Sequence, residues 1–427
     1  MLHWFGVTRL AAIALLALPL AAQNITLDDA LARAQKYGTQ IQSAALGVNL
    51  ATEDRKQVKA ATLPSVNAFN QFIYTQGNGT PTGVYVANDG VHVYNEQAVV
   101  HEEALTLVRH GEINRAFAAE ALAKARVEVA ARGLNLTVVQ DYYAILAAER
   151  HHLNAQTSVA EADRFLDLTK KQEAGGEVAR ADVVKAQITL QQRQRDLQDS
   201  ELAIVKAKIA LGVLMFPDLN FEYTVEDDLQ QAAVLPPQAE AEAKANAASP
   251  DLKAAKAAIQ QAGYDVNVAR YSYLPSLGLD FFYGIDANQF AANSYGRQNL
   301  GYSAQATLNI PVWNWGAIRS RVRQSEIKQQ QAQLDLTYAE RTLHGNLTAA
   351  YKEAQAAQAQ IESLRGSSEL AAESLRLTLL RYTAGEASAL EVVDAQTTVT
   401  QARNAYEDGL VRSRLAAATL RTLTGNQ

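Results

Sequence analysis

Proline is absent from two long intervals of this 427-residue sequence, 82–216 and everything after 311, and no motif constrains the fold as strongly. The nine prolines stand at 19, 64, 81, 217, 236, 237, 250, 275 and 311. Proline breaks helices, so both intervals permit helices far longer than the roughly 11 to 12 residues usual in globular domains. Both are rich in Ala, Leu, Gln, Glu, Lys and Arg, residues that lose little on entering a helix. Ala317 to Thr383 reads as a single helix. At roughly 1.5 Å per residue it would be about 100 Å long. Each interval is interrupted once by a Gly-containing turn, at Glu173-Ala174-Gly175-Gly176-Glu177 and at Thr383-Ala384-Gly385-Glu386. A long helix, a tight turn and a returning helix predict an antiparallel coiled-coil hairpin in each interval. Apolar residues recur along it, as at Leu364, Leu370, Leu375, Leu379 and Tyr382, and the spacing is helical.

Regions 63–108 and 274–312 follow a different period. Leu279, Phe281, Tyr283 and Ile285 alternate with Gly278, Asp280, Phe282 and Gly284. A polar loop, Asp286 to Asn299, precedes a second alternation through Tyr302, Ala304, Ala306, Leu308 and Ile310. Period two with aromatics predicts a β-hairpin. The earlier region repeats the pattern: Val66, Ala68, Phe72 and Tyr74 come before a Gly/Asn/Pro/Thr loop, and Val91, Val93, Leu105 and Leu107 after it. Trp313 and Trp315 stand where the last strand gives way to helix. That place suits a membrane-interface belt as well as an interdomain packing pair.

The chain is a tandem duplication. Leu63-Pro64-Ser65 recurs as Leu274-Pro275-Ser276, and Asn135-Leu136-Thr137 as Asn346-Leu347-Thr348. Val183-Val184-x-Ala186-Gln187 recurs as Val392-Val393-x-Ala395-Gln396. Ordered matches at a nearly constant offset define a repeat of helix, two strands, long helix, turn and long helix. The expected organisation is a first repeat over 23–212, a connecting equatorial segment over 213–249 and a second repeat over 250–427. Two hairpins supply four strands, too few to close a barrel, since about eight are the practical minimum. Their edges must therefore pair across subunits, giving 8, 12 or 16 strands in a cyclic dimer, trimer or tetramer.

Composition removes several classes. Mean hydropathy is −0.16, which excludes a polytopic helical membrane protein. Acidic residues exceed basic ones, 45 against 39, so the chain lacks the positive excess that nucleic acid requires. There is no cysteine, hence no disulfide, thiolate site or lipid anchor on an N-terminal Cys. Arg9 followed by the apolar run Leu10 to Ala22 reads as a secretory signal over residues 1–22. An exported chain without later apolar helices still has access to an outer membrane through β-strands.

Catalytic patterns are missing: the sequence carries no GxGxxG, P-loop, HExxH or GxSxG. The histidines past residue 22 are His92, His101, His110, His151, His152 and His344. His101, Glu102, Glu103 and His110 fit no zinc spacing, and adjacent His151 and His152 diverge by about 100° on a helix. No enzyme activity, metal or cofactor is expected.

The second turn, Tyr382-Thr383-Ala384-Gly385-Glu386-Ala387-Ser388-Ala389-Leu390-Glu391-Val392-Val393-Asp394-Ala395-Gln396, resembles that of TolC-type outer-membrane efflux proteins. The family shows a similar Tyr-x-x-Gly turn followed by an acidic-x-x-Asp-Ala helix start. Ala306-Thr307-Leu308-Asn309-Ile310-Pro311-Val312-Trp313-Asn314-Trp315-Gly316 is similar to its strand-to-helix exit, and the likeness extends over the sequence beyond residue 22. The resemblance implies a mainly α fold with a β-barrel part: a homotrimer whose 12-stranded barrel in the outer membrane continues into a periplasmic α-barrel of 12 helices. It implies a passive duct serving an inner-membrane pump through a periplasmic adaptor, in efflux or type I secretion. Glu391 and Asp394, three apart and on one helix face, would then ring the channel entrance with six carboxylates. Residue chemistry alone reads them equally as acids favoured in the first turns of a helix. The repeat aligns Asp182 and Lys185 with them, so Gly175, Gly176, Asp182 and Gly385 become adaptor-docking tip positions. Tyr382 matches the family's tip latch, whereas Ala387 stands where a second latch residue is usual. His101-Glu102-Glu103 is polar for a lipid-facing strand and is expected to face the lumen or lie above the bilayer. The competing reading is a soluble periplasmic coiled-coil adaptor or spacer, which leaves both aromatic hairpins without a purpose.

Overall fold

A computed structural model describes residues 23–74, 92–218, 222–231, 235–294 and 296–425. The signal read over 1–22 and the loop read after Tyr74, with Val91, lie outside the described residues. The elements run β1 (Gln23–Ile25), α1 (Leu27–Tyr37), α2 (Thr39–Ala60), β2 (Ser65–Tyr74), β3 (His92–Leu105), α3 (Leu107–Ala174), α4 (Arg180–Met215), β4 (Tyr223–Val225), α5 (Gln238–Ala248), α6 (Pro250–Tyr271), β5 (Ser276–Ala287), β6 (Asn293–Ser294), β7 (Arg297–Gln298), β8 (Leu300–Asn309), α7 (Ala317–Thr383) and α8 (Ala389–Thr424).

The duplication appears as matched helix lengths. Helices α1 and α5 have 11 residues each, α2 and α6 have 22, α4 and α8 have 36, and α3 and α7 have 68 and 67. The second set opens at α5, within 213–249. Compact packing does not follow the repeats. One unit gathers Met1–Tyr37, Val138–Ala232 and Ile361–Val411, the other Gly38–Thr137, Ala233–Gln360 and Arg412–Gln427, so each draws on both copies.

In the first unit β1 pairs in parallel with β4. Tyr142, 1% exposed, donates to the carbonyl oxygens of Glu226 at 2.8 Å and Ile25 at 3.3 Å. Those bonds account for its buried hydroxyl. Tyr223 donates to the Lys208 carbonyl at 2.6 Å, and Arg150 pairs with Asp227, so the strand segment is stitched to α3 and α4 by polar contacts. The far ends of α3, α4, α7 and α8 share one core, built on Phe165, Val183, Ala186, Leu375, Tyr382, Val392 and Val399. Leu375 and Tyr382 from the predicted apolar stripe lie in it, but Leu370 is 73% exposed.

In the second unit the two hairpins join into a single antiparallel sheet of order β2-β3-β5-β8, leaving β2 and β8 as edges without a partner strand among the described residues. All four strands hand over to helices at one end of this sheet, α2 into β2, β3 into α3, α6 into β5 and β8 into α7. Two expected strand residues fall elsewhere. The β3 ladder bulges between Glu103 and Leu105 and makes its last pair at Leu105 with Leu277, and Leu107 opens α3 instead. Strand β8 stops at Asn309, leaving Ile310 beyond it, next to Pro311, which has no N–H for a ladder. Helices α5, α7 and α8 bury Ala245, Leu343, Leu347, Tyr351, Leu420 and Leu423 together. Among the described residues no helix is long and apolar enough to cross a membrane.

Candidate functional site

The second turn, closing α7 onto α8, is built by backbone rules. Glu386 N–H donates to the Arg381 carbonyl at 2.8 Å and Gly385 N–H to that of Tyr382 at 3.1 Å. These are the paired bonds of a Schellman stop. Such a stop needs a left-handed residue, which glycine adopts without strain. Gly385 supplies it with φ of 76°. Ser388 then caps α8. Its hydroxyl accepts from Glu391 N–H at 3.3 Å, while Glu391 Oε1 accepts from the Ser388 N–H at 3.1 Å and hydroxyl at 3.2 Å. This is a reciprocal capping box, spelled Ser-x-x-Glu in the sequence. Across the turn, Arg381 Nη1 reaches Glu391 Oε2 at 3.5 Å, and Nη2 donates to the Glu386 carbonyl at 3.0 Å. The Ser388 N–H, its hydroxyl and then the Arg381 charge hold the Glu391 carboxyl below its ordinary range.

The expected pair of entrance carboxylates is therefore unequal. Glu391 is committed to its own helix start and faces an arginine, whereas Asp394, one turn on, is exposed and has no salt bridge among the described residues. Ser388 and Arg381 were missed by the sequence reading; the box was legible in Ser388-x-x-Glu391, but the arginine's role needs the turn to bring α7 back beside α8. Tyr382 is 2% exposed, stacks edge-on to Phe165 at 5.2 Å and donates to Thr169 Oγ1 at 3.4 Å. Thr169 uses its own proton on the Phe165 carbonyl at 2.8 Å. Burial pushes the Tyr382 phenol up, so it stays a neutral donor.

The first turn, α3 onto α4, reuses the backbone. Glu177 N–H bonds the Gln172 carbonyl at 2.8 Å, Gly176 N–H that of Glu173 at 2.9 Å, and Gly176 has φ of 76°. Gly175 occupies the position of Ala384 and has no positive φ. Ala179 is the N-cap and has no side-chain bond, while Arg180 pairs with Glu173 at 3.2 Å. Asp182 is half-buried and Lys185 exposed, at the positions of Glu391 and Asp394.

Between the α3 and α8 flanks of this unit runs a polar ladder: Arg403 to Glu161 at 3.0 Å, Ser158 to Thr400 at 2.9 Å and Asn154 to Asn404 at 2.9 Å. No motif announces it, because its partners lie 242 or more residues apart.

The second unit's sheet has two unlike faces, since residues opposite one another in an antiparallel ladder point the same way. One face carries Val66, Ala68, Phe72 and Tyr74 of β2, Ala98 and Val100 of β3, Leu279, Phe281 and Tyr283 of β5, and Tyr302, Ala304, Ala306 and Leu308 of β8. Val66, Phe72, Tyr74, Tyr283, Tyr302 and Leu308 are more than half exposed there. The other face carries Asn67, Gln71, Asn95, Gln97, His101, Asp280, Ser303, Gln305 and Thr307, with Phe69, Ile73, Val93, Val99 and Phe282 among them, while Asn70 and Glu96 interrupt the first face. His101 Nδ1 lies 2.6 Å from Asp280 on this polar face, and Glu103 turns to Arg109 at 2.8 Å. Of the His101-Glu102-Glu103 run only Glu102, opposite Leu279, lies on the apolar side, so the run follows the strand's own alternation. Trp313 and Trp315 follow at the helix end of the sheet, 74% and 89% exposed, with rings 5.6 Å apart.

The family described as Outer membrane efflux protein matches residues 242–426. The chain is 24% identical to the outer membrane efflux protein BepC of Brucella suis biovar 1 (strain 1330), over 88% of this chain and 80% of BepC. It is 24% identical to TolC of Vibrio cholerae over 62% of this chain and 61% of that protein. Its fold is that of the CmeC outer membrane channel of Campylobacter jejuni, with a TM-score of 0.82 at 15% identity over 94% of this chain and 85% of CmeC. The open MtrE channel of Neisseria gonorrhoeae superposes with a TM-score of 0.75 at 19% identity, covering 94% of this chain and 89% of MtrE.

Proposed function

We propose that this chain, which belongs to the outer membrane efflux protein family, is the outer-membrane exit duct of a tripartite efflux or type I secretion system. It works as a passive homotrimeric channel, joined to an inner-membrane pump through a periplasmic adaptor. The observation that carries this reading is the sheet: one face holds most of its exposed aromatic and aliphatic side chains, the other most of its amides and hydroxyls, and it is open at both β2 and β8. Exposed apolar strands with unpaired edges are unstable in water, yet three copies joined edge to edge make a closed barrel with lipid outside and polar residues inside. A soluble spacer would have no use for such a face. No step of chemistry is asked of any residue.

Within that duct the tips form the entrance. Asp394 supplies its free negative charge, with Glu391 a partly compensated second contributor because Arg381 stands against it. A ring of carboxylates in a narrow mouth favours cations and admits block by multivalent cations. Tyr382, bonded to Thr169, latches the end of α7 to α3. The turns at Gly175, Gly176 and Gly385, with Asp182 beside them, form the surface offered to the adaptor. Trp313 and Trp315 mark the periplasmic edge of the bilayer.

Conductance of the purified chain in a planar bilayer, with reversal potential under a salt gradient, tests the reading. Small, stable, cation-selective steps are expected. Recovery of the chain in the soluble periplasm, with no conductance from folded protein, would overturn it.

A further inference from the structure

Helices α2 and α6 are repeat counterparts of equal length, yet they are packed unequally. Helix α6 buries Leu252, Ala262, Val266 and Ala269, whereas α2 buries none of its 22 residues. The difference is a missing neighbour. On one side α6 meets α7, through Arg270 to Glu326 at 3.0 Å, and α2 likewise meets α3, through Arg55 to Glu120 at 2.5 Å. On its other side α6 also meets α3: Arg115 reaches Asp265 at 3.6 Å, and a Cβ on Gly111 would stand 2.9 Å from Val268. Helix α2 has no such second partner among the described residues. Leu46 and Leu50, on the side opposite Arg55, are 62% and 69% exposed. Helix α7 is open in the complementary way, since Ile327, Leu334 and Tyr338, on the side away from α6, are exposed too.

The strands identify what covers these faces. Strands β3 and β5 are neighbours in the sheet, and the helices that continue them, α3 and α6, are neighbours as well. Edge strand β8 continues into α7, and edge strand β2 is entered from α2. When β8 of one copy pairs with β2 of the next, α7 therefore meets that copy's α2. Spacing agrees with this. Counted from Ala317 and from Ala60, the ends beside the sheet, Ile327 and Leu50 both lie about 15 Å along their helices, and Arg323 and Asp54 both about 9 Å. Thr39, Ser43, Leu46 and Leu50 on α2 and Ile327, Gln331, Leu334 and Tyr338 on α7 share the alternating four-three spacing of a coiled coil, so antiparallel rows stay in step. Charge agrees too. Asp54 is the repeat counterpart of Asp265, which faces Arg115, but Asp54 has no salt bridge among the described residues, and Arg323 reaches Glu326 only at 3.7 Å.

We propose that α2 of one copy packs antiparallel on α7 of the next, with Leu50 against Ile327 and Asp54 paired to Arg323. The inference rests on the edge-to-edge assembly argued above and adds a helical seam that strand pairing alone does not require. The seam repeats between subunits the junction that α3 and α6 make within one chain, so every helix beside the sheet gains a neighbour on both sides.

The chain has no cysteine, so engineered pairs report proximity without background. The test combines Leu50→Cys in turn with Gln324→Cys, Ile327→Cys and Gln331→Cys in the full chain and oxidises each pair in membranes. Non-reducing gels should show covalent trimers, strongest with Ile327→Cys, while each single variant gives no more than dimers. Arg115→Cys with Asp265→Cys, at the junction inside one chain, should close a disulfide that leaves the mass monomeric. In native mass spectrometry Arg323→Glu should raise trimer dissociation about fivefold per interface, roughly a hundredfold over three, and adding Asp54→Arg should restore it. Trimers that conduct in a planar bilayer but cross-link at none of the three positions overturn the helical seam and leave the duct standing. An Arg323→Glu trimer as stable as the wild type overturns the pairing of Arg323 with Asp54. A wild-type chain that is monomeric and enters no bilayer overturns both the seam and the duct.

Discussion

The two hairpin tips share a backbone and differ in everything placed on it. Both stop their first helix with the same pair of bonds, and Gly176 and Gly385 both have φ of 76°. Beyond the stop they part. The second tip caps its returning helix with Ser388 and Glu391 and sets Arg381 against the carboxylate, whereas the first caps with Ala179 and ties Arg180 to Glu173. At the position of buried Tyr382 the first tip holds Glu173, which faces Arg180. Duplication thus supplied two copies of one turn, of which the glycine geometry is common property. One copy now shows carboxylates at its mouth and an aromatic in the core, while the other shows mixed charge.

The largest separation between the tips is expected from Tyr382→Ala. Its side chain is almost fully buried. Removing it should weaken local stability by about 3 to 5 kcal/mol, read as faster hydrogen exchange in the last turn of α7. Glu173→Ala, at the matching site, breaks only a partly exposed ion pair and should cost under about 1 kcal/mol. Next, Gly385→Ala and Gly176→Ala should each cost about 1 to 2 kcal/mol by forcing a Cβ into the left-handed region. Equal losses would support the shared backbone. Gly175→Ala should be nearly neutral, as Ala384 already stands in its counterpart position.

Smaller effects come from the caps. Ser388→Ala should cost about 1 kcal/mol, and the double change Ala179→Ser with Asp182→Glu should add up to a similar amount to the first tip by building the missing box. The Glu391 contribution depends on pH. Its carboxyl is depressed in the fold, so the stabilisation is complete above the ordinary carboxylate range and disappears as pH falls through the lowered value. Exchange at the start of α8 should show that loss, and α4, whose Ala179 cap has no side-chain bond, should lack it. The smallest expected shift is in selectivity: Asp394→Asn should reduce cation preference in reversal-potential measurements more than Glu391→Gln does, and Arg381→Gln should increase it. Equal effects of the two acid substitutions would break the assignment of the free charge to Asp394.

Some of this was legible in the chain alone because it depends on local physics. Proline spacing and composition predicted α7 from Ala317 to Thr383, and the observed helix has those ends. Alternation placed both hairpins, since period two is a property of the strand itself, and the Gly turns marked where each hairpin reverses. Strand ends were less legible. Leu107 and Ile310 continue the apolar pattern, but β3 gives way to α3 after Leu105, and β8 stops before Pro311. Reading Glu391 as half of an acidic pair overlooked Ser388 three residues before it, although the box was written there.

The repeat, the helix lengths, the two turns and the alternation of the strands are written in the chain, because each follows from backbone conformation and side-chain spacing over a few residues. Packing over long range settled the rest. It paired β3 with β5 to make one sheet of two hairpins, and it divided the packed units across both repeats. It also set Arg381 against Glu391, leaving Asp394 as the free charge, and buried Tyr382 against a threonine 213 residues away. Those outcomes depend on which surfaces meet, and a hydrophobic or charged residue does not carry the identity of its partner in its own spacing.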